Sequence, residues 1–289
     1  MIKSIIQEIR VKHWIKNALI FLPLFFGNQL NSPSLLFRSF IGVLSFCFMS
    51  SAIYIINDIH DLDKDRQHPT KCKRPIAAGR LSVPFSVCLA VVLLLVSYLL
   101  IVASISQGRL LSLVVLSVYL LDNVLYSIFG FKNFALVDVC LLALGFWLRL
   151  MMGSAITGIP ISDWLHLVII TGSLFMGLGK RRGELLSVGK ETRTVLKKYT
   201  VTFLDRAMYS CLTLALTFFA LWCKEQDRGP FGISFIVCVP LLILLCFRYA
   251  MIIESGDVDG DPVNVILGDK FCISVGVMFV LLMAFLLYF

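Results

Sequence analysis

Charge is scarce in this chain. Only 15% of its 289 residues are Asp, Glu, Lys or Arg, against 58% apolar, and the mean hydropathy is +0.89. So little polar surface cannot cover a soluble globule of this size, which excludes that class. The nine cysteines form no CxxC or Cys/His metal spacing, and most fall inside apolar runs. They are therefore expected as reduced packing residues. No basic, apolar, small-residue pattern precedes the first apolar run, so no cleavable leader is expected. Internal repeats, low-complexity tracts and linkers are also missing, and the expectation is one membrane domain over 1–289.

Apolar runs near the 17–25 residues that a membrane helix needs lie at 36–56, 83–105, 110–129, 134–155, 164–178, 203–223, 231–251 and 272–289. A shorter one, 14–26, contains Pro23. The fold expected is all-α and polytopic, with about nine transmembrane helices. Nearly all of the 26 Lys and Arg residues then fall on one side, the exceptions being Arg38, Arg109, Arg149, Lys224 and Arg228. By the positive-inside rule that side is cytoplasmic, the amino terminus is inside and the carboxyl terminus outside. The net charge of +8 reads as topology and contact with anionic lipid, not as affinity for nucleic acid. Arg149, toward the outer end of its helix, reads equally as a snorkelling side chain or as a functional one, its far-side position counting against a catalytic role.

The chemistry concentrates on the charged side. Asn57, Asp58, Asp61 and Asp65 follow an apolar run and share a helical face, from which Asp63 points away. Lys71, Lys73, Arg74 and Arg80 come next. Clustered carboxylates repel unless a cation joins them, and hard oxygen ligands suit Mg2+ carrying a polyphosphate. A solvated charged loop is the plainer alternative. A second cluster, Lys180, Arg181, Arg182 and Glu184 with Arg193, Lys197 and Lys198, reads either as a positive-inside stop or as an anion site. Asp122, Lys132 and Asp138 read as lining a polar cavity, because ionisable groups at membrane depth are costly.

Two further segments share this side. In the stretch 10–17, Trp14 is expected at headgroup level, with Lys12 and Lys16 one helical turn apart and able to meet a lipid phosphate. A simple anchor would look the same. The acidic, glycine-containing stretch 254–270 reads as a lid or as a solvated loop.

Asn57, Asp58, Asp61 and Asp65, followed by Lys73-Arg74-Pro75-Ile76-Ala77-Ala78-Gly79-Arg80, resemble the first signature of the UbiA superfamily of intramembrane prenyltransferases. The resemblance implies nine helices around a central cavity open to the cytoplasmic face, in the inner (plasma) membrane, with a Mg2+-bound diphosphate. Most aromatic prenyltransferases of that superfamily carry a second Asp-rich motif near the sixth helix. Here Gly179-Lys180-Arg181-Arg182-Gly183-Glu184-Leu185 stands in its place. With Arg10, Lys12, Trp14, Lys16 and Asn17, and with Tyr126, Lys132 and Asp138, this is similar to the decaprenyl-phosphate phosphoribosyltransferase branch.

That branch implies transfer of 5-phosphoribose from phosphoribosyl pyrophosphate (PRPP) to a polyprenyl phosphate, releasing pyrophosphate. Asn57, Asp58, Asp61 and Asp65 would hold Mg2+, the three aspartates being catalytic. Lys12, Lys16, Asn17, Lys73, Arg74, Tyr126, Lys132, Asp138, Lys180, Arg181, Arg182, Glu184 and Arg193 would bind the substrates. The partners are PRPP, polyprenyl phosphate and the bilayer, and a homo-oligomer is compatible with the sequence. Two other readings stay open: an aromatic prenyltransferase of quinone or haem biosynthesis, and a non-catalytic lipid carrier or transporter.

Overall fold

A computed structural model describes residues 1–68, 70–187, 194–226, 229–255 and 262–289. Arg193 and the acidic stretch 257–261 lie outside these residues. The described chain is helical, with no strand: α1 (Ile2–Glu8), α2 (Leu22–Phe26), α3 (Pro33–His60), α4 (Leu62–Gln67), α5 (Val83–Ser104), α6 (Arg109–Ser127), α7 (Val137–Thr157), α8 (Asp163–Ser187), α9 (Val201–Glu225), α10 (Val239–Ser255), α11 (Pro262–Gly268) and α12 (Lys270–Tyr288). Two compact units are formed, one by Met1–Gly130 and Leu148–Pro160, the other by Phe131–Trp147 and Ile161–Phe289.

Seven of the described helices are long and apolar enough to cross a membrane: α3, α5, α6, α7, α9, α12 and the segment Phe235–Ser255 that contains α10. Leu99, Leu281 and similar side chains stand exposed on them, as lipid-facing residues do. The protein is therefore a multi-pass membrane protein. The expected count of nine differs at two places. The 25-residue α8 has the length but ends in Lys180, Arg181, Arg182 and Glu184, so its composition falls short. The run 14–26 is a 3-10 helix, Val11–Phe21, followed by the five-residue α2 with Pro23 in its first turn.

That 3-10 helix changes the amino-terminal reading. With three residues per turn, positions four apart no longer lie above one another. Lys12 is exposed and Lys16 half-buried. Trp14 is tied to α3, its indole Nε1 donating to Ser51 Oγ at 3.0 Å.

In the first unit, α3 and α5 approach closely because serines face each other. Ser45 Oγ donates to the Ser97 carbonyl and Ser97 Oγ to the Ser45 carbonyl, both at 2.9 Å. At 28 residues, α3 is about 42 Å long, enough to cross a hydrocarbon layer of about 30 Å with its charged end left over. Ile76 and Leu81 from the following loop are buried against Ala52 and Ile55 of α3, with Ile5 and Ile9 packed alongside. This cluster pins both the basic loop and the amino-terminal segment to the end of α3. In the second unit, Phe175, Leu178, Leu204, Met208, Tyr249 and Ile253 build the core from α8, α9 and α10.

Gly108 precedes α6 at φ 72°, and a Cβ there would stand 1.8 Å from the Ala155 carbonyl oxygen. Gly79 has φ 70° but nothing within 4 Å of the same position. Gly108→Ala is thus expected to cost well above the roughly 1–2 kcal/mol of left-handed strain alone, and Gly79→Ala about that much. Thermal unfolding in detergent measures both, and equal losses would contradict the close approach at Gly108.

Candidate active site

The acidic centre forms where α3 ends. Its last turn closes through Asp61 N donating to the Asn57 carbonyl, and α4 opens through Asp65 N donating to the Asp61 carbonyl, both at 2.9 Å. Asp61 itself leaves helical geometry, with φ −92° and ψ 12°. The four-residue period therefore survives a one-residue break, although the chain is not one continuous helix. Asp58 and Asp65 come out buried, Asn57 and Asp61 half-buried, and Asp63 fully exposed, as the phasing requires.

Arg74 joins the two buried carboxylates. Its Nη1 donates to Asp58 Oδ1 at 2.8 Å and to Asp65 Oδ2 at 2.6 Å. The Pro75–Gly79 turn sets that reach: Ala78 N donates to the Arg74 carbonyl and Arg80 N to the Pro75 carbonyl, while Gly79 takes the left-handed position. Arg80 Nη2 donates to the Lys73 carbonyl at 2.6 Å and to Gln7 Oε1 at 3.1 Å, tying the turn to α1. Lys73 remains exposed.

A second guanidinium comes from a residue that the sequence reading placed only in a pattern. Arg10 Nη2 lies 2.6 Å from both oxygens of Asp58, and its guanidinium stacks over the Tyr54 ring at 4.6 Å. Burial opposes the charge on Arg10, but Asp58 outweighs it and holds the guanidinium above its ordinary pKa. Glu8 is buried beside these groups, and neither of its oxygens receives a hydrogen bond. Burial first, then the Asp58 charge, raises its pKa from 4.5 to about 7.

Among the described residues, no three His, Cys, Asp or Glu side chains are arranged as a cation cage. The donor set nonetheless fits a divalent cation. Two hard carboxylate oxygens already converge on one positively charged atom, Arg74 Nη1, which is where a shared cation would sit.

The other unit holds a second cluster. Arg181 is fully enclosed: its Nε donates to Asp138 Oδ2 at 2.6 Å, and its Nη1 bonds Glu184. Tyr199 OH donates to Asp138 Oδ1 at 2.8 Å and accepts from Leu136 N at 2.7 Å. Burial pushes the Tyr199 phenol above its usual range. Arg182 is buried as well, paired with Asp205 and donating to the Ile253 carbonyl. Lys180 and Lys132 are half-buried, as is Tyr126 in the first unit. Tyr199 carried no sequence signal beyond its place in the basic stretch.

Asn17 and Arg149 pair with each other. Asn17 is completely buried in the first unit, where its Oδ1 accepts from Arg149 Nε at 2.8 Å and its Nδ2 faces Cys47 Sγ. Arg149 also donates to Tyr119 OH at 2.8 Å, with its guanidinium over the Tyr119 ring. It does not snorkel. Neutral acceptors and aromatic faces surround it, and Asp122 lies near enough to interact with it electrostatically.

Membrane helices with carboxylates and guanidiniums gathered at one helix end suit an intramembrane transferase acting on a phosphorylated substrate. The chain belongs to the UbiA prenyltransferase family, whose family model matches residues 18–262. It is 37% identical to a decaprenyl-phosphate phosphoribosyltransferase of Corynebacterium glutamicum, over 92% of this chain and 81% of that protein. A protein of the same name from Mycobacterium tuberculosis is 31% identical, over 93% and 89%. A UbiA homologue from Archaeoglobus fulgidus, bound to GPP and Mg2+, superposes with a TM-score of 0.73 over 99% of both chains. At 20% identity, that likeness shows the fold.

Glu8 binds its proton more tightly in the folded chain than in the unfolded one. Its contribution is fully present below about pH 4.5 and is lost as pH rises through about 7. In metal-free buffer, the thermal midpoint of the wild type should fall between pH 5 and 8, and Glu8→Gln should flatten that slope. Parallel profiles would show that Glu8 does not titrate there.

Proposed function

We propose that this membrane transferase moves 5-phosphoribose from PRPP to a polyprenyl phosphate, releasing pyrophosphate, with Mg2+ as cofactor and with its active site on the cytoplasmic side of the plasma membrane. The observation that carries the reading is that the chain has the first acidic signature, at Asn57–Asp65, and a basic stretch, Lys180–Arg182, near the sixth helix where a second acidic motif would grip a prenyl diphosphate. The names of the curated relatives support it over nearly the whole chain. A prenyl diphosphate has one charged head, whereas PRPP has a pyrophosphate at C1 and a separate 5-phosphate, so the second phosphate calls for cations.

Asn57, Asp58, Asp61 and Asp65 are the residues that would hold Mg2+. When bound, it would neutralise the charge developing on the leaving pyrophosphate as the C1–O bond breaks. Arg74 and Arg10 turn from carboxylates to phosphate oxygens, for which guanidinium geometry is suited. Lys180 and Arg193, with Lys132, read the donor's 5-phosphoribosyl end. The enclosed Arg181, held by Asp138 and Glu184, and the paired Arg182 fix the end of α8 that carries Lys180. Lys12, Lys16 and Lys73 steer the lipid phosphate, with Asn17 fixing the segment that carries the first two. The acceptor phosphate is already ionised at neutral pH, so attack on C1 needs no general base, positioning supplies much of the rate, and the anomeric centre inverts.

Purified protein given Mg2+, polyprenyl phosphate and ribose-labelled PRPP should move label into the lipid phase. A protein that ignores PRPP but joins a prenyl diphosphate to an aromatic acid would overturn the reading. Asp58→Ala, Asp61→Ala and Asp65→Ala should each lower turnover by about a hundredfold or more, while Asp63→Ala stays close to wild type. Equal losses at Asp61 and Asp63 would remove the shared-face argument. Lys180→Ala should raise the KM for PRPP more than that for the lipid, and Lys12→Ala the reverse. Steady-state kinetics varying each substrate in turn reads the split.

A further inference from the structure

We propose that Glu8 is a further cation ligand of the acidic centre, a carboxylate supplied by the amino-terminal segment from outside the acidic signature. The inference rests on the metal-dependent reading above and deepens it.

A glutamate at the end of a short surface helix normally turns to water. This one does the opposite: α1 is largely exposed, with Met1 and Ile2 at 84% and 73%, yet Glu8 at its last turn is only 1% exposed. It lies beside Asp58, a second carboxylate, and neither of its oxygens accepts a hydrogen bond. A buried acceptor with no donor is costly, and two neighbouring carboxylates repel, so the pair calls for a proton or a cation between them. The two guanidiniums present favour a charged Glu8 through space, but neither hydrogen-bonds it. Arg10 spends its Nη2 on both oxygens of Asp58, and Arg74 divides its Nη1 between Asp58 and Asp65.

The backbone points the same way. Arg10 takes a left-handed conformation, φ 52° and ψ 52°, which is strained for a residue with a Cβ. Ser51 Oγ donates to the Ile9 carbonyl at 2.8 Å just before it and holds the segment against α3. The bend brings Glu8 and Arg10, residues of opposite charge, to the same aspartate. Once Glu8 is ionised, its carboxylate and those of Asp58 and Asp65 outnumber the guanidiniums of Arg10 and Arg74 by one charge. Glu8, Asp58 and Asp65 would hold a divalent cation that comes with a diphosphate, and Arg10 and Arg74 would then be available to the phosphate oxygens. Glu8 would add hard oxygen ligands from outside the acidic signature.

The test is Mn2+ binding to the purified full chain in detergent, with inorganic pyrophosphate present, followed by electron paramagnetic resonance. Glu8→Gln keeps the size and removes the charge, and it should weaken Mn2+ binding by about tenfold or more. Asp63→Asn, fully exposed, should leave binding unchanged. Should Glu8→Gln fail to fold, Glu8→Asp keeps the charge and shortens the reach, and weaker binding by it supports the assignment in the same way. Wild-type affinity in whichever Glu8 variant folds would overturn the role of Glu8 alone. A wild-type protein that binds no Mn2+ with pyrophosphate would overturn the metal-dependent reading and this inference together.

Discussion

Carboxylates buried at a membrane surface must be met by positive charge, and the first unit is organised around meeting it. Removing a carboxylate from water costs far more than any single hydrogen bond returns, so an aspartate is buried only with a partner. Asp58 and Asp65 have Arg74 in common, and Asp58 has Arg10 as well. The neighbouring structure follows from delivering those guanidiniums: the Pro75–Gly79 turn, the burial of Ile76 under it, and the strained bend at Arg10. Such pairs are also exchangeable. A guanidinium that bridges carboxylates is equally suited to a phosphate, and the carboxylates it leaves are suited to a metal.

The second unit solves the same problem with less room for exchange. Arg181 is enclosed by Asp138 and Glu184, and Tyr199 closes the network by donating to Asp138 while accepting from Leu136 N. A buried pair of this kind contributes geometry more than stability. What it fixes here is the end of α8, and with it the position of Lys180. Arg149 follows a third route in the first unit, where an amide oxygen, a phenol and aromatic faces receive a guanidinium.

Composition and run length made the membrane class legible, because seven of the apolar runs stand as long apolar helices and span length depends only on local sequence. The acidic signature was legible for the same reason. Asp58 and Asp65 do share a partner, and Asp63 does face outward, because helical hydrogen bonding carries the period across Asp61. Local patterns failed where distant residues decide the outcome. Glu8 and Arg10 meet Asp58 across some fifty residues of chain, and nothing in the period of either segment announces it. The 3-10 geometry of Val11–Phe21 was hidden as well, since an apolar run looks alike at three and at 3.6 residues per turn. The partners of Arg149 were not legible, because a lone arginine in an apolar run does not show that Asn17 and Tyr119 wait for it.

The central claim is that the carboxylates now bridged by Arg74 receive the diphosphate of the donor. The most direct measurement is a cryo-electron microscopy structure of the purified protein with Mg2+ and PRPP. The account predicts metal density between Asp58 and Asp65, the pyrophosphate against it, and Arg74 turned from the carboxylates to the phosphates. PRPP bound elsewhere, with Arg74 still joining Asp58 to Asp65, would contradict it.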